Sequence, residues 1–290
     1  MSVMSKMKSF RKWTIARRIV QFSIIALFIS PLFLVEVEGD NFFFGSLASS
    51  TFVGIILSDP YAALQIMFAS KKISLMYMSG AFIIFVFYLI IRGRVFCSWV
   101  CPVNTMLEFT DKLRRLIKVK DKTYNRQAKK YIALLVLILS FIIGVPVFEI
   151  VSPIGFTMRN ALFTFGIGIW IVVAIVLFEL LISKRGWCRY FCPLGGFYQS
   201  IGKAGIFKIE FDHEACVGCD RCRSVCFAEP VILEPGIFRE SKYVEAGDCS
   251  LCGACIDHCP FNALKVAAKL PSTLNSNPFW KKNSKKREVA

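Results

Sequence analysis

The sequence predicts an α-helical membrane protein whose four transmembrane helices form two parallel-repeat hairpins, followed by a small cysteine-rich α+β domain. Three observations predict this architecture: four long apolar segments, a duplicated motif at the end of two of them, and twelve cysteines in repeating patterns. The composition agrees, because 55% of the 290 residues are hydrophobic and only 19% are charged. A disordered chain is less hydrophobic, and a soluble domain carries roughly 25% charged residues. Both of these classes are therefore excluded.

Four segments are long enough to cross a membrane. A helix needs about 20 apolar residues to span the hydrocarbon layer, because it rises about 1.5 Å per residue. None of the four segments contains Lys or Arg, and their only acidic residues are Glu149 and Glu179. The predicted spans are Ile19 to Val35, Ile73 to Ile91, Tyr131 to Val151 and Ala161 to Ile182.

A fifth apolar stretch covers residues 41–70, but two glycines and the pair Asp59-Pro60 interrupt it. Such residues break regular structure. We expect this stretch to form a loop with short helices that lie at the membrane surface or dip into it. A fifth full span is the alternative, and it would place everything that follows on the other side of the membrane.

The basic residues indicate the orientation. Six precede Ile19 without any acidic residue, eleven lie in residues 92–130 against three acidic ones, and sixteen follow Ile182. Lys and Arg collect on the cytoplasmic side of membrane proteins. With four spans, all three basic regions fall on one side, which predicts a bacterial inner-membrane protein with both termini in the cytoplasm. The net charge of +16 is thereby explained, and no nucleic-acid partner is expected.

The membrane part repeats itself. The second predicted span leads into Cys97-Ser98-Trp99-Val100-Cys101-Pro102, and the fourth leads into Cys188-Arg189-Tyr190-Phe191-Cys192-Pro193, which lies 91 residues further on. Each half is therefore a hairpin that ends on the cytoplasmic side in a C-x3-C-P motif. Because both hairpins start and end on the same side, the repeats are expected to be parallel.

The two motifs predict an additional metal or redox site. If each cysteine pair lies on one helical turn, both sulfurs share one face of the helix. Two facing pairs then supply four thiolates, Cys97, Cys101, Cys188 and Cys192, which is enough for a metal ion or a cluster. The alternative is four reduced thiols that only help the hairpins to pack.

The strongest signal lies in the C-terminal module. Two runs of the form C-x2-C-x2-C-x3-C recur at an offset of 33 residues. This is the two-cluster bacterial ferredoxin spacing, in which the fourth cysteine of each run binds the cluster of the other run. The spacing assigns one [4Fe–4S] cluster to Cys216, Cys219, Cys222 and Cys259, and a second to Cys249, Cys252, Cys255 and Cys226. The bacterial pattern also has Pro after the fourth cysteine. Pro260 fits it, whereas Phe227 stands at the equivalent place in the first run.

The same observations set the domain boundaries. Between the two cysteine runs, Val231-Ile232-Leu233 and Phe238 flank Pro235-Gly236 and predict a short β-hairpin. The predicted regions are a basic cytoplasmic tail (1–18), a first transmembrane hairpin (19–102), a basic cytoplasmic linker (103–130), a second transmembrane hairpin (131–193), a cytoplasmic ferredoxin-type domain (205–270) and a basic disordered tail (271–290).

These motifs together resemble the NapH family, the ferredoxin-type membrane subunits found with periplasmic nitrate reductases. NosR-like and CcoG-like membrane iron–sulfur proteins are related. NosR-like proteins carry a flavin-binding periplasmic domain, for which the connection 36–72 is too short. CcoG-like proteins add an immunoglobulin-like domain after the clusters, whereas about thirty residues follow Cys259 here. Both differences favour the NapH resemblance.

The resemblance implies a quinol dehydrogenase that takes electrons from the menaquinol or ubiquinol pool. It would pass them, with a NapG-like periplasmic iron–sulfur subunit, toward a periplasmic nitrate reductase. The alternative function is the assembly or reductive maturation of a metal centre in a respiratory enzyme.

Quinol oxidation also needs a proton acceptor. Carboxylates inside a membrane are costly and are functional candidates for that reason. Glu149 and Glu179 are therefore predicted to accept protons from the quinol. Glu179 has a plainer alternative, an ion pair with Lys184 or Arg185 near the interface.

Overall fold

The computed structural model describes residues 11–34, 43–45, 49–52, 55–72, 75–117, 121–122, 124–157 and 168–269. The first ten residues of the predicted basic tail, the start of the fourth predicted span (161–167) and the predicted disordered tail (271–290) lie outside these ranges.

Most of the described chain is helical. The helices are α1 (Lys12–Leu34), α2 (Pro60–Ser70), α3 (Leu75–Ile91), α4 (Val95–Trp99), α5 (Pro102–Ile117), α6 (Ala128–Ile143), α7 (Val147–Val151), α8 (Gly168–Leu181), α9 (Pro193–Gly202), α10 (Arg221–Ser224), α11 (Glu234–Ile237) and α12 (Ala254–Asp257). A π-helical turn (Trp187–Phe191) precedes α9, and a 3₁₀ turn (Pro230–Leu233) precedes α11. The strands are β1 (Phe43–Gly45), β2 (Ser49–Phe52), β3 (Ile55–Ser58), β4 (Phe207–Phe211) and β5 (Leu264–Ala268).

In the described part of the chain, one helix is long and apolar enough to cross a membrane by itself, over Lys12–Ser30 of α1. A second candidate arises if α6 and the bent segment after it count as one span. Two further apolar helices, Met78–Ile91 and Gly168–Leu181, are shorter. The prediction of four spans therefore stays a prediction. Helix α1 already begins at Lys12, inside the region predicted as a tail, because no helix-breaking residue separates the basic residues from the apolar run.

The third predicted span was expected to continue to Val151, and this is wrong. Helix α6 ends at Ile143, where Gly144 adopts a left-handed conformation (φ 80°) and its N–H bonds to the Ser140 carbonyl. Gly in this conformation is a common helix terminator, and Pro146 follows closely. The chain then bends by 109° into the helical segment Val147–Thr157.

Residues 41–70 combine a helix with strands. Helix α2 matches the expected short helix, and Asp59 caps it by accepting hydrogen bonds from the N–H groups of Tyr61 and Ala62. The preceding residues form a three-stranded antiparallel sheet in the order β1-β2-β3, with Phe43 opposite Phe52 and Ser49 opposite Ser58. The sequence analysis did not predict this sheet. Because the strands occupy the first half, the alternative of a fifth helical span is wrong.

The predicted linker 103–130 is largely a helix rather than a simple connection. Helix α5 packs against α1 and α8. Its Glu108 is buried and binds Arg17 at 2.9 Å and Arg18 at 2.5 Å in α1. Its Arg114 donates a hydrogen bond to the carbonyl of Glu179 at the C-terminal end of α8, where a cation is favourable.

The C-terminal module contains one antiparallel pair, β4 with β5, in which Phe207 lies opposite Ala268 and Phe211 opposite Leu264. The predicted β-hairpin around Pro235-Gly236 is wrong. The 3₁₀ turn at Pro230 and helix α11 occupy this segment. Both begin with Pro in the first turn, where a missing N–H costs nothing, so proline here starts helical turns instead of a β-turn.

Two hydrophobic cores organise the molecule. The module core contains the buried cysteines of both runs. The other core, here called the helical core, lies among α2–α9 and contains Tyr61, Tyr198 and three cysteines of the duplicated motifs. Large apolar side chains on the outer faces of α1, α3, α6 and α8 are exposed: Ile19, Phe22, Phe82, Phe87, Leu134, Ile142, Trp170 and Leu177.

Candidate functional site

Four cysteines line the first of two cavities in the module. They are Cys216, Cys219, Cys222 and Cys259, and apolar side chains of β4 and β5 complete the wall. The cavity opens to solvent beside Cys219, which is exposed. This set is the one that the sequence assigns to a single cluster, including the fourth cysteine from the other run. We call it the first cavity.

The second cavity is lined by Cys226, Cys249, Cys252 and Cys255, again with one cysteine from the other run. The side chain of Phe227 forms part of its wall. Three of its cysteines are buried and Cys252 is half-buried. The two cavities therefore separate the eight cysteines into the two sets of four that the interleaved spacing predicts.

The two loops that carry these cysteines have the same backbone. Left-handed residues occur at equivalent places 33 residues apart: Gly218 (φ 69°) matches Leu251 (φ 49°), and Asp220 (φ 57°) matches Gly253 (φ 70°). Gly adopts this conformation freely, whereas other residues pay about 1–2 kcal/mol. Each loop has one Gly and one non-Gly residue at these two positions, and their order is reversed between the loops. The shared conformation therefore follows from the wrapping of each loop around its cavity and not from one fixed glycine.

The cysteine sets fit a four-iron cluster better than a single ion. No group of three or more His, Cys, Asp or Glu side chains in the described ranges lies close enough to share one metal ion. In a [4Fe–4S] cluster each of the four thiolates binds a different iron, so that the sulfurs must surround a cavity rather than meet at a point. Each cavity here offers four sulfurs around an otherwise apolar wall. The same criterion gives the C-x3-C-P cysteines no ready-made site for a single ion.

In both C-x3-C-P motifs the second cysteine stands at the start of a helix. Pro102 and Pro193 are the first residues of α5 and α9, where proline is preferred. The Sγ of Cys192 accepts a hydrogen bond from the Gly195 N–H at 3.4 Å. Helix N-termini favour a thiolate. The proline of the motif therefore places its cysteine at a helix start.

The first cysteine of each motif lies in the preceding helical turn. Cys97 is in α4 and Cys188 is in the π-helical turn. The expectation that both cysteines of a pair lie on one continuous helix is therefore wrong. The reason is that Pro102 and Pro193 lack the N–H that a continuing helix needs.

The duplicated motifs nevertheless bring their four cysteines into one place. Cys101, Cys188 and Cys192 are buried in the helical core, and Cys97 packs against it. Cys97 also packs against the module core. Cys97 therefore lies at the boundary between the helical half of the chain and the module, and the prediction of two parallel hairpins stays a prediction.

A buried ionic cluster joins the two halves at this boundary. The carboxylate of Asp248, next to Cys249, accepts hydrogen bonds from Arg94, Lys129 and Gln199. Burial disfavours the charged form of Asp248, but the two cations outweigh that effect and lower its pKa below the usual range. Burial and the nearby Arg94 lower the pKa of Lys129 to about 8, although Asp248 acts in the opposite direction.

The residue that departs from the ferredoxin pattern, Phe227, lies in the same region. Phe227 is 3% exposed, and two guanidinium groups lie close to its ring. The Cζ of Arg185 is 4.7 Å from the ring centroid and that of Arg94 is 5.8 Å away. These two arginines are 91 residues apart and each precedes the first cysteine of a C-x3-C-P motif by three residues. The repeat therefore presents two cations to one aromatic ring, a favourable cation–π arrangement.

The two predicted proton acceptors differ in their surroundings. Glu179 is buried at 2% exposure, and its Oε1 accepts a hydrogen bond from the Trp187 N–H at 3.0 Å, at the start of the π-helical turn. Glu149 is half-buried in α7, next to Phe148 of the helical core.

Sequence reasoning missed the residues that join the two halves. Arg94 and Lys129 were counted only among the basic residues that set the orientation, and Asp248 was given no role. The equal spacing of Arg94 and Arg185 before their motifs was a signal that could have identified them. Their partners could not be predicted, because Arg94 and Asp248 are 154 positions apart in the chain.

The stretches 73–120 and 163–211, which contain the two C-x3-C-P motifs, match a family model described as a 4Fe-4S binding domain. Residues 242–265, which contain the second cysteine run, match a model with the same description. The chain is thus an iron–sulfur protein of the ferredoxin type by sequence as well as by its cysteine-lined cavities.

Whole-chain relatives agree with this. The chain is 35% identical to the ferredoxin-type protein NapH of Haemophilus influenzae, over 87% of this chain and 88% of that protein. It is 30% identical to NapH of Escherichia coli, over 91% and 92%. It is 33% identical to the methylamine utilization ferredoxin-type protein MauN of Methylorubrum extorquens, over 89% and 90%. No solved structure matches the chain.

Proposed function

Because this chain belongs to the family of ferredoxin-type proteins that includes NapH and MauN, we propose that it is a membrane-bound quinol dehydrogenase subunit that passes electrons to a respiratory partner. The observation that carries the proposal is that the twelve cysteines lie in adjoining regions of the structure. Eight line two cavities in the module, and the other four lie in one core that borders the module. Such a series of sulfur sites suits the transport of electrons between two places.

We assign one [4Fe–4S] cluster to each cavity. Cys216, Cys219, Cys222 and Cys259 hold the first, and the four cysteines of the second cavity hold the other. The bound clusters supply one-electron redox chemistry, and the protein sets their potentials through hydrogen bonds, charge and solvent exposure. The spacing of the two runs and the separation of the cysteines into these sets support the assignment.

The four C-x3-C-P cysteines are proposed to hold a further iron–sulfur or metal centre. Cys97, Cys101, Cys188 and Cys192 share one core, and the second cysteine of each motif stands at a helix start, although burial raises the pKa of the Cys101 and Cys192 thiols. The description of the family model for these stretches supports iron–sulfur binding. Such a centre would connect the helical core with the module. This matters because the module is proposed to be cytoplasmic, whereas the electron acceptor is periplasmic.

The membrane arrangement is proposed to be four spans with both termini in the bacterial cytoplasm. Exposed apolar side chains on α1, α3, α6 and α8 support it, since a surface of that kind is stable against lipid. The distribution of Lys and Arg supports the orientation. In this arrangement the ferredoxin-type module lies at the cytoplasmic surface.

Quinol oxidation releases two electrons and two protons. Clusters bound in the two cysteine-lined cavities would each be able to take up one electron, and the protons need an acceptor near the quinol. We propose Glu149 as the first acceptor, because it is half-buried and lies near the outer end of the third predicted span. Glu179 is a second candidate, although its Oε1 already accepts the Trp187 N–H. A Glu149→Gln variant is expected to slow quinol-driven reduction without changing reduction by dithionite.

The partner is proposed to be a periplasmic redox system. Resemblance to NapH indicates a NapG-like iron–sulfur subunit and a periplasmic nitrate reductase. Similarity of the same extent to MauN indicates a methylamine-oxidising system as the second candidate. A third candidate, the reductive maturation of a metal centre, uses the same cysteines but does not require quinol.

The test is anaerobic purification of the full chain in detergent, followed by EPR with and without a reduced quinone such as duroquinol. Two interacting [4Fe–4S]⁺ signals after dithionite, and their appearance with duroquinol, are the expected results. Signals that appear with dithionite but never with any quinol would favour the maturation role. In parallel, Cys97→Ser and Cys188→Ser variants should contain less iron than the unmodified protein. Unchanged iron content would show that the four C-x3-C-P cysteines hold no iron centre.

A further inference from the structure

We infer that the second cavity is the one through which the module exchanges electrons with the membrane half, and that the first cavity receives electrons only through the second. The inference rests on the proposed function, because it assumes a cluster in each cavity. Within that assumption it assigns an order to two sites whose cysteine spacing is identical. Arg189 and Arg94 are assigned as positioning residues at the junction.

The loop of the second cavity is held directly by the first C-x3-C-P motif. The Ser98 hydroxyl donates a hydrogen bond to the Ser250 carbonyl at 2.8 Å, and the Trp99 indole donates to the Leu251 carbonyl at 3.2 Å. Both acceptors lie between Cys249 and Cys252. The residues that follow Cys97 therefore fix the position of the backbone that wraps the second cavity.

The second C-x3-C-P motif reaches the same cavity through Arg189. This residue follows Cys188, is 3% exposed, and its Nη2 donates to the carbonyl of Cys226 at 3.2 Å. One peptide link and one hydrogen-bonded side chain thus separate Cys188 from a cysteine of the second cavity. Electron tunnelling weakens steeply with distance, so that a short connection of this kind favours transfer at this point.

Arg94 makes a second connection between the same sites. Its Nη2 donates to the Cys188 carbonyl at 2.9 Å, and its Nη1 donates to the carbonyl and the carboxylate of Asp248, both at 3.2 Å. Asp248 immediately precedes Cys249. Each arginine therefore connects a C-x3-C-P motif with the second cavity: Arg189 contacts Cys226 itself, and Arg94 joins Cys188 to Asp248, the residue before Cys249.

Phe227 contributes to the contact between the second cavity and the membrane half. It follows Cys226 where the bacterial pattern has Pro, and its ring fills the space between the guanidinium groups of Arg94 and Arg185. Replacing the usual Pro by an aromatic residue gives the module an anchor in the membrane half. The departure from the ferredoxin pattern is thus a docking feature beside the second cavity.

The first cavity has different surroundings. Cys219 is exposed, its neighbour Val217 is 61% exposed, and an added Cβ on Gly218 would meet no atom within 4 Å. The loop that carries these residues faces open space. An electron that comes from the helical core reaches the second cavity first, and from there the first.

The order is tested with two matched variants of the full chain in detergent. Cys252→Ser disables the second cavity and Cys219→Ser the first, and each variant is titrated with duroquinol and, separately, with dithionite. We expect duroquinol to reduce the remaining cluster in Cys219→Ser at the wild-type rate. In Cys252→Ser it should fail to reduce the remaining cluster, although dithionite still does. Wild-type rates of quinol reduction in Cys252→Ser would overturn the inference.

A second arm keeps all cysteines and does not depend on quinol. In an EPR-monitored redox titration, Arg189→Gln should lower the reduction constant of the second cluster about tenfold, which is about 59 mV for one electron. Loss of a nearby positive charge disfavours the reduced cluster, which carries one more negative charge. Arg221→Gln, on the wall of the first cavity, is the matched control and should leave the second cluster unchanged.

The two arms separate the outcomes. If duroquinol reduces neither cluster in the unmodified chain, the quinol role fails, while the shift in Arg189→Gln still decides whether Arg189 acts on the second cluster. An unchanged second potential in Arg189→Gln, or a shift of the first cluster instead, would overturn the assignment. Arg189→Lys, which keeps the charge, should restore most of the potential, whereas a merely structural role would give no such rescue.

Discussion

The two cysteine loops of the module have the same spacing and the same left-handed positions, yet their surroundings differ. The loop of residues 216–222 faces solvent, whereas Ser98 and Trp99 cover the loop of residues 249–255 and Arg94 binds Asp248 just before it. Equivalent positions, always 33 residues apart, therefore have equivalent backbones and different neighbours. The comparison distinguishes the backbone that a cluster-binding loop needs from the contacts that hold one of the two loops against the helices. Substitutions in the two loops, compared in pairs, measure how much those contacts stabilise the chain.

The largest effect is expected for Asp248→Asn. The change leaves Arg94 and Lys129 buried without their counter-charge, and breaking a buried ion pair costs about 3–5 kcal/mol. Asp220→Asn in the exposed loop is the control, because its partner Arg223 is partly exposed and such pairs contribute about 1 kcal/mol or less. Thermal unfolding of the full chain in detergent, followed by the visible absorbance of the clusters, measures both. Equal melting temperatures would show that the covered loop gains nothing from this cluster of charges.

Phe227→Ala should destabilise the chain by about 3–4 kcal/mol, since a buried Phe truncated to Ala leaves a cavity. The equivalent residue in the other run is Pro260, where Pro→Ala should cost less than about 1 kcal/mol. The same unfolding experiment applies. A small effect of Phe227→Ala would mean that the aromatic ring does not anchor the module to Arg94 and Arg185.

Gly253→Ala and Gly218→Ala compare glycines with almost the same φ. Both substitutions should destabilise the folded chain by about 1–2 kcal/mol, because a residue with a Cβ disfavours the left-handed conformation. At Gly253 the new Cβ would also come within 2.3 Å of the Cβ of Trp13 in α1, while at Gly218 it meets nothing within 4 Å. We expect an additional cost of about 1–3 kcal/mol at Gly253 from this overpacking. Equal melting temperatures of the two variants would show that Trp13 of α1 does not pack tightly against Gly253.

The smallest effect is expected for Asp257→Ala. The carboxylate of Asp257 accepts hydrogen bonds from the backbone N–H groups of Trp13 and Thr14 and from the Thr14 hydroxyl, so that it caps α1. Loss of such a cap costs about 0.5–2 kcal/mol. Ser224 is the equivalent residue in the other run, and Ser224→Ala should change stability by less than about 0.5 kcal/mol. Hydrogen exchange at the first turn of α1 should rise only in Asp257→Ala.

Several elements could be predicted from the chain alone, for identifiable reasons. Helix α1 follows from an uninterrupted apolar run. The end of α6 could have been predicted from Gly144 and Pro146, but the sequence around them stays apolar, and a longer helix was therefore predicted. The sheet of residues 43–58 was missed because its strands lie within a long apolar stretch, where strand and buried helix give similar patterns. The segment 230–237 was assigned to the wrong turn type, because Pro-Gly serves both β-turns and the first turn of a helix.

The sequence by itself determined the separation of eight cysteines into two sets, the duplicated C-x3-C-P motif and the membership of an iron–sulfur family. These depend on short spacings, and a run of eleven residues has few ways to place three sulfurs around one cavity and the fourth at the other. The tertiary structure alone decided which loop is covered, what Phe227 contacts and how Arg94 and Arg189 join the two halves. Those contacts connect residues that are as many as 154 positions apart. Their free energy comes from burial of charged and aromatic groups at a contact surface, for which no local pattern in either partner is sufficient.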